Sequence, residues 1–156
     1  EREAKLRNNT NVPEWLAEEE GVRNGVYSDT VGKRTVGIGF NMDSSSSRDV
    51  WEQSGVQKDF DAVRNGEQKL SDNEVRQLAN TSYGIAVQDA KNFIPGFDQM
   101  SENRKKALVN MSYQLGATKL SEFKGFKNAL LNGDYVKASR HLLKSKYYKN
   151  KKWVKL

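Results

Sequence analysis

The chain of 156 residues contains no cysteine, one histidine and two prolines. The lack of cysteine excludes disulfides and cysteine-based zinc sites, so packing alone must stabilise the fold. A single histidine makes a histidine-rich metal site implausible, and we expect neither a bound metal nor a cofactor. No apolar run approaches the roughly 18 residues typical of a membrane helix, so we expect no membrane insertion.

The chain opens Glu-Arg-Glu-Ala-Lys, with neither an initiator methionine nor a signal-peptide pattern. This start suggests a processed chain or a domain of a longer protein. Its length suits one ordinary domain, or two small lobes that share a linking element. Apolar residues make up 36% of the chain and the mean hydropathy is −0.84, so we expect a modest core and a polar surface.

Charge is distributed unevenly along the chain. Residues 1–100 carry 12 Lys or Arg against 17 Asp or Glu, whereas residues 101–156 carry 14 against 3. The C-terminal third is therefore strongly basic, and its field attracts polyanions. Candidate partners are nucleic acid, an anionic membrane surface or the anionic bacterial cell wall, and a merely solubilising surface is equally compatible with the charge.

Helical spacing and capping residues predict an α+β protein, with helices around one small sheet. Residues 12–20 predict a short helix, with Pro13 at its start and Gly21 just past its end. Residues 25–40 carry β-forming side chains around a turn at 29–32, which predicts two or three short antiparallel strands. Further helices are predicted near 48–53 and 57–65, over 72–94, from Ser101 to Gly116, and around 123–130 and 135–143.

The longest predicted helix begins at the capping-box pattern Ser71-Asp-Asn-Glu74 and stops before Pro95-Gly96. A helix of over twenty residues in so small a chain is well placed to join two lobes. We predict a single domain over residues 1–156. It comprises an N-terminal lobe at about 12–70, a connecting helix at about 72–94 and a helical C-terminal lobe at about 97–156.

Glu20 and Asp29 are two carboxylates in unlike surroundings. Glu20 is predicted at the C-terminal end of its helix, where the helix dipole disfavours ionisation and apolar packing would raise the pKa further. Asp29 lies in a turn, where solvent and backbone donors keep it ionised. A protonated and an ionised carboxyl together are what glycosidic bond cleavage requires, and the Thr35 hydroxyl could fix the attacking water. Taken singly, each residue is equally typical of a helix surface or a turn.

The spacing of these residues resembles a known family. Glu20-Gly21, followed by Tyr27-x-Asp-Thr-x-Gly-x-x-Thr-x-Gly-Ile-Gly39, is similar to the catalytic stretch of phage lysozymes of the T-even type, glycoside hydrolase family 24. A second block, 107–116, and a weaker third block, 143–148, agree in order. The resemblance covers roughly residues 12–150.

The resemblance implies a two-lobed fold with a cleft between the lobes and a defined activity. Family members are N-acetylmuramidases that cut the β-1,4 bond between N-acetylmuramic acid and N-acetylglucosamine in peptidoglycan, with inversion at the anomeric carbon. By position, Glu20 is the general acid, and Asp29 and Thr35 handle the attacking water. Inversion predicts carboxyl groups about 6.5–9.5 Å apart. Substrate-binding positions are Asn41, Tyr113, Gln114 and His141.

Several positions depart from the family pattern. Phe40 stands where the family has a histidine that forms a structural salt bridge, so we expect altered packing there rather than lost catalysis. Asn41 stands where an apolar substrate contact is usual, His141 where an amide is usual, and Phe126 where a small hydroxyl is usual. Asn150-Lys-Lys-Trp153 replaces another family stretch, and the chain then stops short of the family's last helix.

Three hypotheses follow. The first is a phage-encoded lytic enzyme, acting as an endolysin from the host cytoplasm on the periplasmic cell wall, or as a virion-associated lysozyme domain. It is expected as a monomer or as a domain of a larger virion protein, with peptidoglycan and not nucleic acid as partner. The second is a non-catalytic peptidoglycan-binding module on the same scaffold. The third is a nucleic-acid-binding domain that uses the basic C-terminal third, in which the aromatic side chains of residues 144–155 could stack on bases or simply belong to a solvated tail.

Overall fold

The computed structural model describes residues 12–145. Seven α-helices occur in this part of the chain: α1 (Glu14–Glu20), α2 (Ser47–Ser54), α3 (Phe60–Arg64), α4 (Asp72–Phe93), α5 (Glu102–Ser121), α6 (Lys124–Leu131) and α7 (Tyr135–Leu143). Three strands, β1 (Arg23–Ser28), β2 (Arg34–Gly37) and β3 (Phe40–Asn41), form one antiparallel sheet in the order β1-β2-β3. The predicted α+β class is confirmed.

The first helix and the sheet follow from local sequence signals. Helix α1 begins after Pro13 and ends at Gly21, whose φ of 74° suits a residue without a side chain. The turn between β1 and β2 is closed by Asp29, whose backbone N–H donates to Lys33 O at 2.8 Å. The sheet is small and packs on helices, as a short isolated sheet must to be stable.

Two short helices follow the sheet. The first agrees with the prediction near 48–53, since α2 covers Ser47–Ser54 and stops at Gly55. The second was predicted from 57, but α3 begins only at Phe60. Asp59 caps it, because its side chain accepts a hydrogen bond from Ala62 N at 2.9 Å.

The long helix α4 has the predicted start and ends at Phe93. Ser71 accepts a hydrogen bond from Glu74 N, and the Glu74 side chain accepts one from Ser71 N, which together form the capping box. Buried side chains of this helix belong to two hydrophobic clusters, those up to Ala86 to one and those from Ala90 to the other. One contains residues from Val12 to Ala86 together with Tyr113, and the other contains residues from Ala90 to Leu142. We call the parts of the chain around them the N-terminal and C-terminal lobes; the assignment of residues 1–156 to a single domain stays a prediction.

Helix α5 runs further than predicted. Gly116 interrupts the helical backbone with φ 79° and ψ 165°, but the chain resumes a helical path to Ser121. The predicted stop is therefore a kink inside a longer helical segment. Helices α6 and α7 lie where predicted, separated by Gly133 and Asp134, and the Asp134 side chain caps α7 by accepting from Lys137 N at 3.0 Å.

Within residues 12–145, no helix is long and apolar enough to cross a membrane. The basic and aromatic run after Ser145, including the third resemblance block beyond that point, lies outside the described residues.

Candidate active site

Glu20, the predicted acid, lies at the junction of the two lobes. It is the last residue of α1, and its carboxylate Oε1 accepts a hydrogen bond from Gln114 Nε2 on α5. The backbone of Gly39 approaches the same side chain closely: a Cβ on residue 39 would lie 2.5–2.7 Å from Glu20 atoms. Gly39 also has a φ of 65°, so glycine is required there for both space and backbone conformation.

Asp29 is fixed by its own turn. Its Oδ1 accepts hydrogen bonds from Val31 N at 3.0 Å and from Lys33 N at 2.8 Å. No donor among the described residues contacts the other carboxylate oxygen, Oδ2. Two backbone donors thus orient the group and leave one oxygen available to a water molecule.

Thr35 is buried on β2, with 4% of its surface exposed. Its hydroxyl donates a hydrogen bond to Lys33 O at 3.0 Å. Because that bond uses the hydroxyl hydrogen, the oxygen lone pairs remain able to accept a hydrogen bond from water.

The register of the sheet aligns three of the relevant side chains. Tyr27 of β1 pairs with Thr35 of β2, and Thr35 pairs with Asn41 of β3. Directly opposed residues of antiparallel strands project from the same face of a sheet. Asn41 Nδ2 donates to Gln114 O at 3.3 Å, so this face is turned toward α5 and the same residue that contacts Glu20.

The electrostatics of Tyr27 connect the two carboxylates. Burial raises the pKa of the Tyr27 hydroxyl, the negative charge of Glu20 raises it further, and Asp29 adds to the effect, while Arg23 opposes it. The charges of both carboxylates therefore raise the pKa of the same phenol. The separation of about 6.5–9.5 Å that inversion requires stays a prediction.

Tyr113 of α5 packs in the hydrophobic cluster of the N-terminal lobe and connects α5 to that lobe. Its hydroxyl donates a hydrogen bond to Ile38 O, in the turn between β2 and β3. Burial raises the pKa of this phenol, and the nearby Glu20 and Tyr27 raise it further, against a hydrogen bond with Ser82. The side chain is only 9% exposed, and its ring is part of the hydrophobic cluster of the N-terminal lobe. Its expected role as a sugar-binding surface stays a prediction.

His141 lies apart from this hydrogen-bonded group. It sits on α7 against Gly125 of α6, where a Cβ on Gly125 would meet the imidazole ring at 2.5–3.0 Å. It also lines a cavity of about 250 Å³ with Phe123 and Lys144. Its expected contact with substrate stays a prediction, as do those of Asn41, Tyr113 and Gln114 and the catalytic roles of Glu20, Asp29 and Thr35.

The two aromatic departures from the family pattern are core residues. Phe40 is buried and packs on Trp51, with ring centroids 6.1 Å apart. Phe126 is buried and stacks on Phe93 at 6.5 Å. Both positions thus contribute packing to their lobes.

Sequence reasoning did not assign roles to Tyr27 or Gly39. Tyr27 could have been found from strand alternation, since it lies two residues before Asp29 and therefore on the same side of the chain. The Gly39 requirement depends on contact with Glu20, which no local pattern reveals.

Comparison with known proteins identifies relatives of the chain. The family model described as phage lysozyme matches residues 17–156. The chain is 28% identical over 123 residues to a probable T4-type lysozyme 2 of Dictyostelium discoideum, covering 74% of this chain and 71% of that protein. It is 27% identical over 149 residues to the pre-baseplate central spike protein Gp5 of Enterobacteria phage T4, covering 92% of this chain.

The chain spans about a quarter (26%) of the length of that spike protein. The family match, in contrast, extends over most of the present chain and includes Glu20, Asp29 and Thr35. The chain therefore belongs to the phage lysozyme family.

Proposed function

We propose that the protein is an inverting N-acetylmuramidase that hydrolyses the β-1,4 bond between N-acetylmuramic acid and N-acetylglucosamine in peptidoglycan. The observation that carries the proposal is the position of Glu20. Its carboxyl group lies where the two lobes meet, contacted by Gln114 from one lobe and by Gly39 from the other. The charges of Glu20 and Asp29 both raise the pKa of Tyr27.

Each residue has a defined step in this mechanism. Glu20 donates a proton to the leaving glycosidic oxygen, so that the bond to the anomeric carbon breaks. Asp29 accepts a proton from a water molecule through its free Oδ2, and Thr35 accepts a hydrogen bond from that water. The water adds to the opposite face of the sugar ring and gives the inverted anomer.

The decisive test is a zymogram with peptidoglycan in the gel. We expect Glu20→Gln to lose at least about a hundredfold in activity, because general acid catalysis contributes about 10²–10⁴-fold. Glu14→Gln is the matched control, since Glu14 is an exposed carboxylate in the first turn of the same helix. Full lysis by a folded Glu20→Gln variant would refute the assignment of the acid.

Inversion is tested separately by the anomer of the first product. Proton NMR of an early digest should show the new reducing end as the α-anomer before mutarotation. Initial formation of the β-anomer would exclude the proposed use of water by Asp29 and Thr35, while leaving Glu20 as the acid.

Purified peptidoglycan also distinguishes the enzyme from the non-catalytic alternative. The substituted substrate-contact positions, Asn41 and His141 among them, motivate it. Binding to purified sacculi without release of reducing ends would favour a wall-binding module.

We further propose that the enzyme is phage-encoded and acts on the bacterial cell wall, either as an endolysin or within a virion. The similarity to a phage spike protein over nearly all of this chain supports the virion alternative. Immunodetection on purified phage particles distinguishes the two roles.

A further inference from the structure

Helix α7 of the C-terminal lobe carries exposed apolar side chains on its outer face, and we call this face, with Val136 and Leu143, the patch. Five large apolar side chains are prominently exposed among the described residues: Val31, Leu131, Tyr135, Val136 and Leu143. Four of them lie within thirteen consecutive residues. Val136 is 65% exposed and Leu143 51% exposed, well outside the buried face that α7 forms with Ala138 and Leu142.

Cations lie beside Val136 and on the same helix as Leu143. Val136, Arg140 and Leu143 follow i, i+4, i+7 spacing and so share the outer face of α7. Lys137, Arg140 and Lys144 also line a surface depression of about 300 Å³ together with Val136. None of the three cations has an ion-pair partner within 4 Å among the residues that the structure describes.

Acidic groups are few on this surface. The carboxylate in the depression, Asp134, uses Oδ1 to cap α7 through Lys137 N. The wider C-terminal third has 14 Lys or Arg against 3 Asp or Glu. The patch thus presents a positive field around exposed hydrocarbon.

This combination selects one kind of partner. A soluble polyanion would be attracted by the cations but gains nothing from Val136 and Leu143. The headgroup region of an anionic bilayer satisfies both, because phosphate pairs with Lys and Arg while apolar side chains enter the acyl boundary. We propose that the outer face of α7 is a docking surface for an anionic lipid bilayer.

The binding is peripheral and independent of catalysis. Helix α7 has nine residues, too few to span a bilayer, and its inner face stays packed in the C-terminal lobe. Glu20 lies at the junction of the lobes, so Glu20→Gln should bind vesicles as the unmodified protein does. A failure of the muramidase proposal therefore leaves this one intact, and the reverse also holds.

The test is flotation of the full chain with vesicles of phosphatidylglycerol and phosphatidylcholine, compared with phosphatidylcholine alone. We expect binding only to the anionic vesicles. The double variant Val136→Ser/Leu143→Ser should weaken it about tenfold, because two apolar side chains no longer enter the bilayer. Val31→Ser is the matched control, since Val31 is 52% exposed in the N-terminal lobe, and it should bind normally.

The contribution of the cations to vesicle binding is tested with Lys137→Glu and Arg140→Glu. Each should weaken binding at least about fivefold, given about 1 kcal/mol per cation at an anionic surface. Lys69→Glu, the same change on an exposed lysine of the N-terminal lobe, should have little effect.

Two results would overturn the proposal. One is the absence of binding to phosphatidylglycerol vesicles at low salt. The other is unchanged binding by Val136→Ser/Leu143→Ser while soluble polyphosphate competes fully, which would show that the surface recognises polyanions and not a bilayer. All variants retain residues 146–156, so the basic end of the chain is the same in each comparison.

Discussion

The side chain of Glu20 depends on two neighbours that differ in kind. Gln114 supplies a hydrogen-bond donor, and Gly39 supplies only the absence of a side chain. The first is a chemical contact, and the second is space into which the carboxyl group fits. Both are needed because a general acid must be placed within hydrogen-bond reach of the oxygen that it protonates.

Gly39→Ala tests the space around the acid. The new methyl group would overlap Glu20, and alanine at φ 65° adds backbone strain of about 1–2 kcal/mol. We expect activity in a turbidity assay to fall at least about tenfold, since even small displacements of catalytic groups are costly.

Gly133→Ala is the matched control for Gly39→Ala. Gly133 has a φ of 71° but nothing within 4 Å of its Cβ position. Backbone strain should therefore lower the unfolding free energy of Gly133→Ala in urea about as much as that of Gly39→Ala, while its activity is kept. Equal activity in the two variants would show that the approach of Gly39 does not position Glu20.

Helix α4 contains a glycine that packing does not require. Gly84 has no neighbour within 4 Å of its Cβ position and lies in the middle of the helix. A glycine in the middle of a helix is often explained by a close contact, and no such contact is found at Gly84. Its backbone is helical and exposed, so the only effect of lacking a side chain is conformational entropy.

Gly84→Ala should therefore stabilise the protein by about 1 kcal/mol, or raise Tm by about 2–4 °C for a chain of this size. Differential scanning calorimetry measures this directly. Gly116→Ala is the contrasting variant, since Gly116 has a φ of 79° and its Cβ would meet Ser46 Oγ at 2.8 Å. Destabilisation by Gly84→Ala would indicate a bend that alanine cannot accept.

Asp43 connects the sheet to helix α3. It accepts hydrogen bonds from Arg34 N at 2.9 Å and from the Arg64 guanidinium at 2.8 Å. Burial alone would raise the pKa of Asp43, but these two donors outweigh it and the pKa lies below its ordinary value. A lowered folded-state pKa stabilises the protein above about pH 4, and that stabilisation is lost as the pH falls through the folded-state pKa.

Asp43→Asn should destabilise the protein by about 1 kcal/mol at pH 7. The difference from the unmodified protein should shrink as urea unfolding is repeated below about pH 4. Asp61→Asn is the control, because the Asp61–Arg48 pair is exposed, with 57% of the Asp61 side chain accessible against 21% for Asp43. A pH-independent difference for Asp43→Asn would mean that its charge contributes nothing.

Three polar contacts at the candidate site hold helix α5 on the N-terminal lobe. Tyr113 to Ile38, Gln114 to Glu20, and Asn41 to Gln114 all join α5 to the N-terminal lobe. The same contacts that place the acid therefore also set the position of α5 on the N-terminal lobe, so stability and activity should be coupled here.

Tyr113→Phe isolates one of these contacts. Loss of the hydroxyl leaves the buried carbonyl of Ile38 without its donor, which should cost about 1–3 kcal/mol in urea unfolding. Tyr135→Phe is the control on an exposed tyrosine and should change stability by less than about 0.5 kcal/mol. Equal unfolding free energies for both variants would show that the Tyr113 hydroxyl does not hold α5 on the N-terminal lobe.

The amino-acid sequence determined those features that depend on a few neighbouring residues. Ser71 and Glu74 satisfy backbone groups three positions apart, and Gly21 ends α1 through its own φ, so both helix boundaries could be predicted. The family motif likewise contained Glu20, Asp29 and Thr35 because its residues lie within one helix and one hairpin. The predicted start of α3 at residue 57 is wrong, because Asp59 caps the helix and the helix begins at Phe60.

Only the tertiary structure decided what meets across the lobes. Gln114 lies 94 positions from Glu20, and Tyr113 lies 75 positions from Ile38. Such pairs depend on the packing of both hydrophobic clusters and of the long helix that joins them. No hydrophobic periodicity and no helix cap in the sequence predicts them. The kink at Gly116 is similar: sequence marked the break, but only packing determined that the chain continues as a helix to Ser121.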